Sequence, residues 1–354
     1  MLLPTTYGAA LALLIVSMLC WGSWANTQKM AGKWRFELYY YDFSFGLILC
    51  AVIAAFTLGS LLPKELTFQD NFLIASKRQM LWAVGGGIVF NLANMLLVAA
   101  ISVSGMAVAF PIGIGLALVI GVVGNYILNP QGNPVLLFGG AVLVVLAILV
   151  NAFAYSAYSE AQHVAKQKAL QIDPRVKRRG QPAPTGAARG IILSIAAGLL
   201  MGAFYPMVEM GREGDTGVAP YGLALLFGAG VVLSTFLYVP FFLTFPVDGA
   251  SVEATQYFKG TAKQHFLGLF GGMLWMAGGL CNFAAANTPA TVQVGPAVSY
   301  ALGQGATLVS ALWGLLVWKE FKGASDRVKL MIAIMLVLFV SGLAMISIAP
   351  LNAK

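Results

Sequence analysis

The chain has 354 residues, of which 59% are hydrophobic and only 10% charged, with a formal net charge of +8. A soluble domain carries about 25% charged residues, so this chain cannot build a soluble surface, and water-soluble enzymes and nucleic-acid-binding modules are excluded. The positive balance is better explained by cytoplasmic loops rich in Lys and Arg.

Roughly ten stretches are each about twenty residues long and apolar, the length a helix needs to cross a bilayer core of about 30 Å. Predicted spans run over 6–24, 41–62, 81–101, 105–128, 134–156, 188–208, 219–246, 265–286, 291–317 and 328–349. The fold expected is all-α: a polytopic membrane protein with ten transmembrane helices. The first stretch lacks a basic n-region and a small-x-small cleavage site, so it reads as a retained helix rather than a signal peptide. Cys20, Cys50 and Cys281 all lie in apolar segments and form no CxxC pair, which supports neither a disulfide framework nor a zinc site.

Three connections are short: Ser102-Val103-Ser104, Asn129 to Asn133, and Asn287 to Ala290. They predict tight helical hairpins. The long connection, 157–187, carries QKALQIDPRVKRRGQPAPTG, where proline and charge exclude a span. It divides the chain into five helices (1–156) and five helices (188–354). Its Arg175, Lys177, Arg178 and Arg179 read as a topology determinant. Loops after odd-numbered helices, counted with Arg189 and Lys329 at the adjoining helix ends, hold 16 Lys and Arg, and the other side holds 5. The positive-inside rule then puts the odd loops in the cytoplasm and both termini outside.

The halves are related. A shift of 185 residues lays Gly86-Gly87 on Gly271-Gly272 and Pro111 on Pro296; a shift of 180 lays Gly22 on Gly202 and Trp24 on Phe204. Five is odd, so the second half enters the membrane inverted, as in many secondary transporters whose substrate binds between the halves.

Polar residues inside spans are expensive and therefore informative. The first helix carries Trp21 and Trp24 on one face, with Asn26 and Gln28 beyond. Asn91 and Asn94 share a face of the third helix, Asn282 lies in the eighth, and Gln293, Tyr300 and Gln304 share a face of the ninth. Such amides and aromatics suit a polyhydroxyl or amide-rich ligand; interhelical hydrogen bonding is the competing use. Charges near spans are few. Asp42, expected to start the second helix, Glu209 at the end of the sixth and Lys29 past the first are the candidates for coupling or gating. Pro111, Pro206, Pro240 and Pro296 are expected within spans, where they kink helices. Gly113-Ile114-Gly115 follows no strand, so it is not a nucleotide loop. His163 and His265 read as isolated, with no second ligand at metal spacing.

The segments CWGSWANTQKMAGKWRFELYYYDFSFG, GGGIVFNLANMLLVAAISVSGMAVAFPIGIGLALVIG and NTPATVQVGPAVSYALGQGATLVSALWGLLVWKEF resemble the drug/metabolite transporter superfamily. Within it the chain most resembles the glucose/ribose porter branch, with rhamnose–proton symporters and plant ureide permeases as relatives. The resemblance covers nearly the whole chain. It implies ten helices in two inverted five-helix repeats, a central polar cavity and often cation-coupled uptake.

The function expected is a secondary transporter in the cytoplasmic membrane, moving a small polar solute, most simply a monosaccharide, by alternating access. A ureide or nucleobase permease, or an exporter of metabolites or drugs, is the alternative. An intramembrane enzyme would need a catalytic pair or metal cluster within spans, and the sequence offers none. The site expected is Trp21, Trp24, Asn91, Asn94, Asn282, Gln293, Tyr300 and Gln304. No cofactor is called for beyond a coupling H+ or Na+, and the partners are solute and lipid, with the chain a monomer or homodimer.

Overall fold

The computed structural model describes residues 1–60, 66–104, 106–171, 187–247, 249–288 and 294–352. Among these there is no strand. In lipid a backbone must satisfy its own hydrogen bonds, and a helix does so within one segment. In chain order the helices are α1 (Tyr7–Ser23), α2 (Ala25–Met30), α3 (Phe36–Phe56), α4 (Phe68–Ile74), α5 (Lys77–Ser104), α6 (Met106–Leu128), α7 (Pro134–Gln171), α8 (Ala187–Arg212), α9 (Pro220–Thr244), α10 (Ala262–Ala286), α11 (Pro296–Gly303), α12 (Ala306–Leu312) and α13 (Asp326–Ile348). A π-helical turn, Trp313–Val317, continues α12, and a 3-10 turn, Ala254–Lys259, precedes α10. Among the described residues nine segments are long and apolar enough to cross a membrane, with α1–α2 and Pro296–Val317 each counted as one; α6 adds the apolar stretch Ile112–Leu128.

Local chemistry sets several starts. The Thr6 hydroxyl accepts from the Ala9 amide, and Thr67–Asp70 and Thr261–Gln264 form capping boxes. Pro220 and Pro296 stand at the first helical position, where a missing N–H costs nothing. Pro296 therefore begins a helix instead of kinking one, contrary to the sequence expectation; Pro206 and Pro240 do lie inside helices.

Other expectations also change. Ser102–Ser104 stays helical as the end of α5. α10 ends at Ala286 and α11 begins at Pro296, and of the expected Asn287–Ala290 hairpin only Asn287 and Thr288 are among the described residues. The ninth span is not one helix: it breaks at Gln304-Gly305. Asp42 lies inside α3, which already starts at Phe36. With 38 residues, α7 is about 57 Å long at 1.5 Å per residue and overshoots the hydrocarbon core. Gln293 and the Arg175–Arg179 cluster lie outside the described residues.

The helices pack in matched pairs. α1 packs on α10 and α5 on α8; α3 on α10 and α5 on α9; α1 on α12 and α6 on α8; and α7 crosses α13. Glycine permits the closest crossings. Gly87 meets the Phe227 carbonyl and Gly272 the Phe43 carbonyl, while Gly230 meets the Val84 carbonyl and Gly46 the Leu269 carbonyl. In each of these pairs a Cβ would overlap backbone of the facing helix. This is the close approach that small residues allow in membrane bundles. The outer faces expose Val142 and Phe153 on α7, Phe236 and Phe241 on α9, and Val337 and Val340 on α13, an apolar surface suited to a membrane interior.

Contacts between connections define two ends. At one, Leu2 bonds Leu58, Asn71 bonds Gly217, and Asn133 bonds Ala349. At the other, Arg35 bonds Ala250, Tyr158 bonds Lys322, and Gln264 bonds Ala31. The first is the terminal end; the second, holding the Lys/Arg-rich connections, is the basic end.

Candidate functional site

A cavity of about 540 Å³ opens among α1–α2, α7, α12 with its π turn, and α13, a size typical of small-molecule sites. Three hydrogen bonds tie its walls together. Ser310 Oγ donates to the Gly22 carbonyl (2.9 Å), Trp313 Nε1 to Ser23 Oγ (2.8 Å) and Trp318 Nε1 to Asn26 Oδ1 (2.7 Å). Gly22 allows the approach, since a Cβ there would collide with Val309 and the Ala306 carbonyl. The polar lining is neutral: Asn26, Gln28, Asn151, Thr307 and Ser310. Lys29, Trp318 and Glu320 stand at the basic-end mouth. Among the described residues the amides of Gln28 and Asn151 make no hydrogen bond, so their donors and acceptors are free for a ligand.

The expected site residues that the structure describes lie outside this cavity, in packed contacts between helices. Trp21 stacks on Trp275 (5.4 Å between centroids) and donates to its carbonyl (3.0 Å). Trp275 in turn stacks on Phe227 at 5.6 Å and packs on Phe90 at 4.4 Å. Trp24 packs on Phe43 at 4.9 Å. Asn282 is fully committed: its Oδ1 accepts from Tyr205 (2.5 Å), and its Nδ2 donates to Ser299 O (3.0 Å) and Ser17 Oγ (3.3 Å). The Tyr300 hydroxyl donates to the carbonyls of Ala117 and Met201. Gly303, whose missing side chain leaves room for both Trp21 and Asn282, joins these groups. Asn91 donates to Ser234 and Thr235 on α9, and Asn94 to the Tyr40 hydroxyl on α3. Gln304 caps the break after α11. None of these lines the cavity.

The structure thus brings Trp21, Asn282 and Tyr300 together, and gives Asn91 and Asn94 to separate helix contacts. Sequence reasoning missed Asn151, although a lone amide inside LVNAFAY was the signal. Asn91→Ala is expected to leave solute affinity unchanged while lowering stability by about 1 kcal/mol, near the measured range for membrane hydrogen bonds. Chemical unfolding in mild detergent, run beside a binding titration, reads both.

Three charged clusters remain. Asp42, 7% exposed, accepts from the Tyr257 hydroxyl (2.6 Å) and meets His265 Nδ1 at 2.8 Å. His265 is therefore not isolated: Trp34 and Tyr257 also pack edge-on against its ring. Burial and the facing carboxylate push the Tyr257 phenol well above its usual range, so it remains a donor. Glu209 is buried against Arg212, whose nitrogens reach its carboxylate at 2.6–2.9 Å. Lys29 pairs with Glu320 at 2.6 Å and lies over the Trp318 ring at 4.3 Å. No group of three His, Cys, Asp or Glu that could hold a metal occurs among the described residues.

With that geometry in view, the comparisons point to permeases. The family model described as Ureide permease matches residues 39–183. Ureide permease 2 of Arabidopsis thaliana is 24% identical over 98% of this chain and 98% of its own. Ureide permease 1 of the same plant is 23% identical over 96% of each chain. A protein of known crystal structure matches 96% of this chain and 96% of its own with a TM-score of 0.57 at 16% identity, which shows a shared fold alone. The apolar helices and the similarity to permeases mark a multi-pass membrane protein of transporter type.

Proposed function

We propose that this chain is a secondary permease for a small neutral ureide or nucleobase, taken up across the cytoplasmic membrane by alternating access. The observation that carries the reading is the end-to-end similarity to ureide permeases. It favours the ureide alternative over the monosaccharide that the sequence first suggested. A ureide presents N–H and C=O groups side by side on a planar, uncharged frame. Free amides such as those of Gln28 and Asn151, together with the Thr307 and Ser310 hydroxyls, can meet that pattern without any buried charge.

The architecture proposed is two inverted five-helix repeats, 1–156 and 188–354, joined by the basic connection 157–187. Its support is the glycine crossings: Gly87 on Phe227 and Gly272 on Phe43 are the same contact with the halves exchanged, as are Gly230 on Val84 and Gly46 on Leu269. The Lys and Arg asymmetry supports both termini outside. Asp42, held by Tyr257 and His265, is the proposed coupling carboxylate, because an ionisable group inside a span is kept there for use. Either H+ or Na+ could drive the cycle.

Uptake into proteoliposomes decides the solute. Labelled allantoin and uracil are expected to enter and to show counterflow, and glucose and rhamnose to do neither. Entry of a monosaccharide alone would overturn the ureide reading, and entry without counterflow would indicate a channel. Asn151→Ala is expected to raise the KM for the transported solute about tenfold, the worth of one hydrogen bond of about 1.4 kcal/mol, with little change in kcat.

A further inference from the structure

We propose that a second groove, at the basic end of the bundle, binds one anionic phospholipid: its phosphate headgroup lies between Lys33 and Lys259, and its acyl chains run along the adjoining phenylalanine face. The site is separate from the solute cavity and stands whichever solute is carried.

The groove, about 570 Å³, is open and forms between two connections. One wall is Lys33, Trp34 and Arg35, just before α3; the other holds Glu253 and Lys259, from the connection between α9 and α10, with Gln264 in the first turn of α10. All three helices are long and apolar enough to cross a membrane. Residues at their basic ends therefore sit where hydrocarbon gives way to headgroups, the level at which Trp and Tyr also gather.

The walls are braced. Arg35 Nη1 donates to the Ala250 carbonyl (2.9 Å), and Gln264 Nε2 donates to the Ala31 carbonyl (3.3 Å), so each side is tied to the other. Trp34 packs edge-on against His265 and over Gly260, where a Cβ would overlap its ring. Arg35 pairs with Glu37 at 2.6 Å, and its role is to hold the wall.

The two lysines are differently placed. Both are exposed, and among the described residues neither forms an ion pair or hydrogen bond. Three cations line the groove against one carboxylate, Glu253, whose oxygen accepts from Thr255. That balance favours an anion. A topology signal needs positive charge at this end of the bundle; it does not need the charge gathered in a concave site. Basic pockets at this depth suit acidic lipid headgroups.

The neighbouring surface selects a lipid over a soluble phosphate. Phe258, adjacent to Lys259 in the 3-10 turn, is 83% exposed, and Phe245 at the end of α9 and Phe266 near the start of α10 are exposed as well. Rings so placed are costly in water and at home against acyl chains. The same turn carries Tyr257 to Asp42, so a lipid seated here would hold that turn against α3.

Thermal stability and native mass spectrometry of the full chain in detergent test the site. Dioleoylphosphatidylglycerol is expected to raise the melting temperature and to leave one tightly held lipid on the protein. Dioleoylphosphatidylcholine, whose ammonium offsets its phosphate, is expected to do neither. Lys33→Gln and Lys259→Gln should each weaken the anionic lipid about fivefold, and added salt should weaken it further. Glu253→Gln, which removes the one opposing charge, should tighten it. Lys77→Gln with Arg78→Gln removes two exposed cations at the terminal end and should leave it unchanged. Because Lys33 and Lys259 hold no partner, these variants should fold; Glu253→Gln tests the site by a gain and so is not confused with misfolding. Equal effects of the two lipids, or a loss in the terminal-end pair as large as in the groove pair, would overturn the site. Full stabilisation by inorganic phosphate alone would overturn the lipid and leave a soluble anion as the occupant. Both readouts report binding, so a failure to carry a ureide would not touch them.

Discussion

Gly272→Ala and Gly87→Ala are each expected to prevent the bundle from closing. In both cases the new Cβ would overlap a backbone carbonyl, of Phe43 and of Phe227 respectively. A flexible side chain can swing away from such a clash; a carbonyl held in a helix cannot. The facing helices would have to separate, and α3–α10 and α5–α9 are among the principal contacts of the bundle. The cost should exceed the about 1–3 kcal/mol usual for overpacking, since the whole crossing is lost and not one rotamer. The equivalence of the two sites adds a quantitative demand: the two variants should fail to a similar degree. Gly8 is the control. No described atom lies within 4 Å of a Cβ there, so Gly8→Ala should be neutral or stabilise by up to about 1 kcal/mol through helix propensity. Yield of monodisperse protein and the thermal midpoint in detergent rank the three. A Gly272→Ala protein as stable as the parent would show that the crossing is looser than its geometry.

These glycines also mark what sequence can carry. Their matched spacing in the two halves was visible as a pattern, and it fell on real helix crossings because a glycine requirement is local: only one residue type fits. The same locality made the spans legible, since apolar length alone measures a bilayer. The site was less legible. Spacing places Asn91, Asn94 and Asn282 on helix faces, but not which face meets protein and which a cavity. Tyr205 and Ser17, which claim Asn282, are 77 and 265 residues away. The partnership of Asp42 with His265 spans 223 residues and had no sequence signal. The helix break at Gln304-Gly305 was hidden for another reason: the stretch Pro296–Val317 is long and apolar enough to cross a membrane as a whole, while the helix within it is interrupted.

Asp42→Asn is expected to abolish concentrative uptake while leaving solute exchange intact. The substitution keeps the size of the side chain and removes its charge. An amide oxygen can still accept from Tyr257, so α3 should stay docked on the loop before α10. The amide nitrogen then faces His265 Nδ1, a contact that holds only if that nitrogen is unprotonated. The pair therefore loses the states in which a proton or cation is bound between two titratable groups. The turn around Asp42 also links outward: Tyr39 hydrogen-bonds Thr27 on α2, and Tyr40 accepts from Asn94 on α5. A change in the charge of Asp42 thus reaches a cavity-bearing segment and the core through two neighbouring residues on one helix. A ligand shifts a conformational equilibrium only by its differential affinity for the two states. Without the coupling ion, the solute should distribute to an internal-to-external ratio of about one. Proteoliposomes with an imposed proton gradient, and then a sodium gradient, measure accumulation; preloaded vesicles measure exchange. Accumulation by a folded Asp42→Asn protein would make the carboxylate a structural tie between α3 and α10 and move coupling to another group.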